Sequence, residues 1–271
     1  MFYLTKQKLI RLLFWGLVVL PGIPFVVISL AISIYVYWPR DFSSVTEFPL
    51  VKNVEYITLS AHGVNDTTAS WSDELQQLMA TSPYSQLANV VQQNHSIDWQ
   101  KFSSNVFMCS VAGKKIGIEM GKHLATMPSL KAIHAIGHSC GSFITLGICE
   151  GAKSVNPQLM VQTTYLDPVS VYSGVFWNYG IEHFGSCGDF SDNYIDTRDT
   201  VPGSNQALAN SYTFDVTQQQ TTKDADVPPH AWPTRYYLQA YRNNSAPLLY
   251  KADLAEIKQF KKGEMTQIIT R

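Results

Sequence analysis

The apolar residues of the chain recur with two spacings that alternate along most of its length. Short apolar runs rich in β-branched and aromatic residues predict strands at 54–60, 95–99, 130–136, 159–166, 194–195 and 211–216. Apolar residues at steps of three and four predict helices at 70–93 (broken near Pro83), 105–127 and 140–149. Alternating strands and helices are typical of a mostly parallel central sheet with helices on both faces, so we expect an α/β fold.

The N-terminal part has a different pattern. Residues 12–38 contain no charged side chain, and Lys6, Lys8 and Arg11 precede them. A bilayer core needs about 20 apolar residues in a helix, so this run is long enough for a transmembrane helix. We therefore expect a single-pass membrane protein. Because positive charge favours the cytoplasmic side, the N-terminus would lie in the cytoplasm, and residues 41–271 would lie in the periplasm, the extracellular space or a lumen.

Two other interpretations of this segment remain open. Residues 29–31 (Ser-Leu-Ala) resemble a signal-cleavage site, which would give a secreted protein, although the apolar run continues past that point. A buried helix of a soluble domain is the third interpretation. With the anchor favoured, the chain divides into a transmembrane or signal segment at 1–40, a polar linker at 41–52 and one folded domain at 53–271.

Composition narrows the function classes. The chain has 20 Lys and Arg residues against 21 Asp and Glu residues, a formal net charge of −1, and its body has no run of basic residues. We therefore expect no nucleic-acid partner. The sequence also lacks the His-Glu-x-x-His and Cys-x-x-Cys patterns of common metal sites, so we expect neither a metal nor another cofactor.

The four cysteines are Cys109, Cys140, Cys149 and Cys187. Outside the cytoplasm they can form disulfides, and three pairings are possible. Free buried thiols are equally open. The pairing that we favour is Cys149 with Cys187. We expect Cys140 to stay unpaired, because it lies within a glycine-rich turn.

That turn is a Gly-x-Ser-x-Gly pattern between a predicted strand and a predicted helix, Gly137-His138-Ser139-Cys140-Gly141. A strand–turn–helix of this kind needs glycines where no Cβ fits, and it exposes the serine at the helix N-terminus. The first helical amides then face any oxyanion that forms. We therefore predict Ser139 as a nucleophile, with Gly137, His138 and Gly141 supporting the turn.

A nucleophilic serine needs a base, and the base needs an orienting carboxylate. With this turn the chain order is serine, acid, histidine, and only His183 and His230 follow the serine. His183 lies too close to the predicted strand at 159–166 to follow the whole sheet, so His230 is the predicted base. The aspartates at predicted strand ends that could orient it are Asp167, Asp196 and Asp199.

The loop after the first predicted strand carries His62-Gly63. Where a serine at such a strand–turn–helix acts as a nucleophile, one oxyanion donor is the amide of the next residue, and the other lies in an early loop of this kind. Gly63 would let the backbone approach closely. The predicted oxyanion hole therefore consists of the backbone amides of Val64 and Cys140.

Together these motifs resemble the pancreatic-lipase-like lipases and esterases of the α/β-hydrolase superfamily, over roughly residues 54–240. The matching motifs, in chain order, are His62-Gly63, Trp71, Ile97-Asp98-Trp99, Gly137-His138-Ser139, Leu166-Asp167-Pro168, and His230 followed by Arg235-Tyr236-Tyr237. The resemblance implies an α/β-hydrolase domain at 53–271 and hydrolysis of an acyl ester. It also favours Asp167 over Asp199 and Asp196 as the acid, because Leu-Asp-Pro matches the family's acid position.

The chain departs from this family in its lid. Family lipases close a lid with a disulfide before the histidine, whereas residues 204–229 contain no cysteine. We expect this segment, rich in Gln and Thr, to be either a short mobile flap or a polar loop without a role. We also expect no counterpart of the family's C-terminal lipid-binding sandwich. Neither interfacial activation nor a triglyceride substrate is therefore implied.

The function that we expect is that of a membrane-anchored serine hydrolase that cleaves a carboxylic ester. A lipid acyl ester is the favoured substrate, and the membrane is the favoured partner of the N-terminal helix. A thioesterase or a peptidase on the same fold would use the same residues. A non-catalytic, membrane-tethered binding domain is the alternative from a different class.

Overall fold

The computed structural model describes residues 5–81, 89–243 and 260–268, and the chain separates into two compact units, Met1–Arg40 and Asp41–Arg271. In the first unit α1 (Lys6–Phe14), a π-helical turn (Trp15–Val19) and α2 (Leu20–Tyr37) follow one another without a break. By length and composition the helical segment Trp15–Tyr37 could cross a membrane, a test that a signal sequence also passes.

The second unit is built on a seven-stranded sheet in which every neighbouring pair of strands is parallel. The strands are β1 (Tyr56–Ala61), β2 (Gln92–Ile97), β3 (Ala132–His138), β4 (Met160–Leu166), β5 (Phe190–Ile195), β6 (Tyr212–Asp215) and β7 (Met265–Gln267). Their spatial order is β2-β1-β3-β4-β5-β6-β7.

Helices cover both faces of this sheet. They are α3 (Ser43–Thr46), α4 (Ser72–Thr81), α5 (Gln100–Ser103), α6 (Val106–Ala125), α7 (Ser142–Val155), α8 (Tyr179–His183) and α9 (Trp232–Arg242). Along β3, Ala135 belongs to a core cluster with α6 and α7, whereas the next residue, Ile136, belongs to a cluster with α4 and α9. Because successive strand residues point to opposite faces, the clusters lie on opposite sides of the sheet. The predicted fold class, a parallel α/β sheet with helices on both faces and an apolar N-terminal helix, is confirmed.

Several predicted elements differ from the observed ones. The helix expected at 70–93 ends at Thr81 among the described residues, and Pro83 lies outside them. Residues 41–52, expected as a polar linker, include α3 and bury Phe42 and Val45 in the core. The strand expected at 95–99 runs over Gln92–Ile97. Strand β7 was not expected, since its sequence Met-Thr-Gln has no apolar pattern.

The order of the strands determines where a ligand can bind. Strand β1 lies between β2 and β3, so the chain leaves β1 toward one edge of the sheet and leaves β3 toward the other. In parallel sheets the crevice at such a reversal, outside the carboxyl ends of the strands, is the usual ligand site. The loops after β1 and β3 meet there, and they carry His62-Gly63 and the Gly-x-Ser-x-Gly turn.

Helices α6 and α7 pack unusually close together. A Cβ added at Gly117 of α6 would collide with the carbonyl oxygen of Ile144, and one at Gly147 of α7 would collide with that of Lys114. Only glycine leaves room for such backbone contact. Since α7 starts directly after the Ser139 turn, this contact fixes the turn against α6.

Candidate active site

Ser139 stands at the sharp turn that the sequence predicts. Its φ of +55° lies in the left-handed region, which a residue other than glycine rarely adopts. The turn joins the end of β3 to the short 3₁₀ turn Ser139–Gly141 that leads into α7. A Cβ at Gly141 would collide with the Ala61 carbonyl oxygen, and one at Gly137 would stand 2.6 Å from the Gly141 carbonyl oxygen. Both glycines are therefore required by close backbone contact.

The loop after β1 packs closely against the same serine. A Cβ at Gly63 would lie 2.9 Å from the Ser139 Cβ and 3.4 Å from its Oγ. The neighbouring His62 is fully buried, its Nδ1 donates to the Gly63 carbonyl at 2.9 Å, and its own carbonyl accepts from Trp99 Nε1 at 3.0 Å. These bonds hold the loop in place, so Gly63 can touch the serine.

His230 lies in the 3₁₀ turn Pro229–Ala231, just before α9. Its carbonyl accepts a hydrogen bond from His138 Nε2 at 2.9 Å, which ties it to the residue before Ser139. Its Nδ1 lies 2.8 Å from Asp199 Oδ2 and 3.5 Å from Asp167 Oδ2. An ionised carboxylate only accepts, so Nδ1 carries the proton and Nε2 is left as the acceptor.

Both carboxylates come from strand ends. Asp167 follows β4 at φ +43°, and the last register pair of β3 and β4, His138 with Leu166, places it level with Ser139. Its backbone N–H donates to the Tyr194 carbonyl at 2.8 Å, and the side chain is fully buried. Asp199 lies in the turn after β5. Two buried acids therefore converge on one imidazole nitrogen.

The loop between Val201 and Asn205 supplies the other hydrogen bonds of these acids. The Ser204 hydroxyl donates to Asp199 Oδ2, and the Val201 amide donates to Asp199 Oδ1 at 3.1 Å. The Asn205 amide donates to Asp167 Oδ1 at 3.0 Å, with Asn205 itself at φ +53°. Asp167 Oδ2 has no hydrogen-bond partner among the described residues. Neither Ser204 nor Asn205 was predicted as a site residue from the sequence. The Gly-Ser-Asn run at 203–205 is a turn signal that could have indicated them.

The two acids differ in their ionisation. Burial raises the pKa of Asp167 to about 7, against the opposing effect of His230. Burial acts in the same direction on Asp199, but hydrogen bonds from Ser204 and Val201 outweigh it, so its pKa is lowered. Burial lowers the pKa of His230, yet the two carboxylates raise it by more, and the net shift is upward. At neutral pH Asp199 is thus the ionised partner of the imidazole.

The third aspartate that the sequence offered as an acid, Asp196, does not reach the histidine. Its carboxylate accepts from the Arg198 side chain, with Nε at 2.9 Å, and from Thr217 Oγ1 at 3.2 Å. It stabilises the turn after β5.

The expectation of an unpaired Cys140 is wrong. Cys140 forms a disulfide with Cys109 on α6, because its side chain points from the turn to the start of that helix, with a Cα–Cα distance of 6.2 Å. The favoured pairing of Cys149 with Cys187 is confirmed.

Residues 204–229 do not form a single flap. They contain β6 and two 3₁₀ turns (Thr217–Gln219 and Thr222–Asp224). They also contain Ser204 and Asn205, which donate hydrogen bonds to the carboxylates of Asp199 and Asp167. The segment had also been predicted to contain a strand, and the structure places that strand inside the sheet.

A cavity of about 460 Å³ opens beside the serine. It is lined by the predicted nucleophile, the predicted base and both predicted oxyanion donors, which are Ser139, His230, Val64 and Cys140. The rest of its wall is mainly apolar and includes Val106, Phe107, Val169, Val171 and Trp177.

The acids and the histidine could also be considered as cation ligands, since one ligand atom from each of Asp167, Asp199 and His230 lies within 4.8 Å of the others. His230 Nδ1 and Asp199 Oδ2 already share a hydrogen bond of 2.8 Å. The arrangement is thus suited to hold an imidazole in one orientation.

No protein-family model and no curated protein sequence matches the chain. A solved structure from Lactobacillus plantarum WCFS1, described as a "putative cell surface hydrolase", is similar at a TM-score of 0.45 and 10% identity, over 77% of this chain and 97% of that one. A gene product from Listeria innocua is similar at a TM-score of 0.45 and 9% identity, over 79% and 99%.

Proposed function

We propose that the protein is a serine hydrolase that cleaves a carboxylic ester with an apolar acyl group. The observation that carries this proposal is the position of Ser139, held at positive φ between β3 and α7 in a cavity that His230 also lines. A strained serine at a strand–helix turn beside a carboxylate-bound imidazole has the parts of an activated nucleophile.

In the proposed reaction Ser139 Oγ attacks the ester carbonyl carbon while His230 Nε2 takes the hydroxyl proton. The imidazolium that forms is stabilised by Asp199 and Asp167 at Nδ1. His230 then gives the proton to the leaving alcohol. A water molecule, activated by the same imidazole, releases the acyl group from Ser139.

The amides of Val64 and Cys140 are the proposed oxyanion donors. Cys140 directly follows the nucleophile in the 3₁₀ turn, and Val64 directly follows the glycine that touches the serine. Donors fixed in this way stabilise negative charge that appears only in the transition state, which lowers the barrier.

The apolar lining of the cavity favours a substrate with an apolar acyl group over one with a polar acyl group. Among its lining residues are Val106, Phe107 and Trp177, which are 61%, 49% and 57% exposed. Large apolar side chains exposed at a cavity mouth indicate an apolar ligand. We propose that the acyl chain lies along these residues, with its carbonyl at Ser139.

We further propose that Trp15–Tyr37 anchors the enzyme and that the second unit lies outside the cytoplasm. The length and apolar character of this segment and the basic residues before it support that topology. Protease added outside intact cells should digest the second unit. Protection until lysis would mean the opposite topology, and a mature N-terminus near Ile32 would mean a cleaved signal.

The test of the enzymatic proposal is labelling by a fluorophosphonate probe, with hydrolysis of a panel of esters, thioesters and peptides. Ser139→Ala should abolish labelling and lower kcat by about 10⁶-fold. Ser186→Ala, a change at an exposed serine whose hydroxyl binds the His183 carbonyl, is the matched control.

Labelling that persists in Ser139→Ala would overturn the serine mechanism. Loss of wild-type activity on chelation with EDTA would favour a metal enzyme. Turnover of only thioesters or peptides in the panel would keep the nucleophile but change the substrate class.

A further inference from the structure

The residue after the proposed nucleophile is covalently tied to another element. Cys140 is joined by a disulfide to Cys109, 31 residues earlier in the chain, in the first turn of α6. Both cysteines are almost fully buried, and both line the cavity beside Ser139. The bridge thus links the nucleophile turn to the wall of the substrate cavity.

The α6 end of this bridge is itself held firmly. The Asn105 side chain caps the helix by accepting from the amides of Phe107 and Met108 at 2.9 and 3.3 Å. The Cys109 amide donates to the Asn105 carbonyl at 2.8 Å. In the next position, Ser110 Oγ accepts from the Ser173 amide at 2.9 Å. Cys109 therefore lies on a capped turn that is fixed to the neighbouring loop.

We propose that Cys109 is a positioning residue for the oxyanion hole. Through the disulfide it holds Cys140, whose amide is the proposed donor, at a fixed distance from the substrate carbonyl. This inference rests on the proposed function, since it needs an oxyanion to form at Ser139.

The geometry of oxyanion donors explains why such a bridge matters. A donor works when it lies about 2.7–3.1 Å from the developing oxyanion, and loss of one costs on the order of 10²–10³ in rate. A displacement of about 1 Å can cost about 100-fold. The disulfide limits such displacements by connecting the donor residue to a helix that does not carry the nucleophile.

The second disulfide is a natural control. Cys149 lies in the later part of α7, and Cys187 lies in the loop before β5. Neither is among the described residues that line the cavity. Both bridges close loops of similar length, 31 and 38 residues, so the unfolded chain loses similar entropy from each.

The experiment compares Cys109→Ala with the double variant Cys149→Ala/Cys187→Ala in the full chain. The measurements are kcat and KM for a short-chain ester, the rate of fluorophosphonate labelling and the melting temperature. Cys109→Ala should lower kcat and the labelling rate by about 10–100-fold with KM within about twofold, because a displaced donor affects only the transition state. The double variant should lose stability with little change in kcat.

Reduction of the folded wild-type protein gives a second route, which does not depend on folding of a variant. A dithiol such as dithiothreitol transfers two electrons and two protons to the bridge, leaving two cysteine thiols and a cyclic disulfide of the reagent. The same loss of kcat is expected and should be regained on reoxidation. Cys149→Ala/Cys187→Ala should remain sensitive to the reductant, whereas Cys109→Ala should not respond.

Unchanged kcat in Cys109→Ala, or loss of kcat in both variants in proportion to their melting temperatures, would overturn the inference. Failure of the proposed function would look different. In that case the wild-type protein would not be labelled, or Ser139→Ala would still be labelled. Serine-dependent labelling at the wild-type rate in Cys109→Ala would reject the positioning role alone.

Discussion

The site joins a polar group to an apolar wall of opposite character. The polar group consists of Asp167, Asp199 and His230; of these three only His230 is among the described residues that line the cavity, and the two acids are 0% and 6% exposed. The apolar wall of the cavity consists of Val106, Phe107 and Trp177, which are about half exposed. The acids follow strands β4 and β5 and the histidine lies in the turn before α9, whereas the apolar wall comes from the start of α6 and the loop before α8.

The difference in exposure follows from what the polar group and the apolar wall each have to do. Carboxylates that orient an imidazole need a dry environment and fixed hydrogen bonds, because water weakens their electrostatic interaction. An apolar wall gains its free energy only when a ligand covers it. We therefore expect changes in the polar group to alter kcat and changes in the apolar wall to alter substrate preference.

After the loss expected in Ser139→Ala, the largest effect is expected at the paired acids. Asp167→Asn and Asp199→Asn should each lower kcat by about 10–100-fold, because the remaining carboxylate can still accept the hydrogen bond from Nδ1–H. Asp199→Asn should cause the larger loss, since Asp199 is the ionised partner of the imidazole at neutral pH. The double variant should lose about 10⁴-fold, as expected when the imidazole has no carboxylate partner. Steady-state kinetics on one short-chain ester measures all three.

Asp196→Asn is the control for these variants, since that carboxylate binds Arg198 and not the histidine. If one single variant alone shows the full 10⁴-fold loss, that residue is the acid and the other is only a neighbour. Such a result at Asp167 would support the assignment from the family resemblance.

The pH dependence should reflect the same pair. The base acts only when neutral, and the carboxylates raise the pKa of His230 above its ordinary value of 6.5. The rise of kcat/KM with pH should therefore be centred above 6.5, and activity should be lost as pH falls through that range. Because the groups are coupled, the midpoint belongs to the set of groups.

Removing a negative charge should lower the pKa of His230. In Asp199→Asn the rise of kcat/KM with pH should therefore move to lower pH. In Asp196→Asn this rise, the acid limb of the pH profile, should stay in place. A wild-type limb below 6.5, or one that Asp199→Asn leaves unmoved, would contradict the proposed interaction.

A smaller effect is expected at the apolar wall. Trp177→Ser should lower kcat/KM for a dissolved long-chain ester by about 10-fold and leave a short-chain ester within about twofold, because only the longer chain covers the indole. Phe176→Ser is the control, since this exposed neighbour is not among the described residues that line the cavity. Equal losses for both chain lengths would place the acyl chain elsewhere.

The sequence predicted those parts of the fold and site that depend on local sterics. The strands around Ser139 were found because a buried parallel strand is a continuous apolar run, and the turn was found because its glycines are required by contact. The choice between Asp167 and Asp199 could not be made in this way. Both follow buried strands in turn-forming sequences, and only the folded loop with Ser204 and Asn205 distinguishes their hydrogen bonds.

The bridge between Cys109 and Cys140 and the pairing of β7 depend on contacts distant in the sequence. Nothing near Cys140 indicates a partner, because the partner is brought by the packing of α6 on α7. Strand β7 is a short edge strand with a polar sequence, and neighbouring β6 provides its register. Such features are determined by tertiary packing and leave no local pattern.

The glycine contact between α6 and α7 has a consequence for how this protein could diversify. At Gly117 and Gly147 even a methyl group would strike a backbone carbonyl, so both positions tolerate almost no mutation. New substrate preferences would therefore arise in the loop before α8, where the exposed Trp177 lines the cavity. Directed-evolution libraries for altered chain length should be concentrated in that loop, with the two facing helices left untouched.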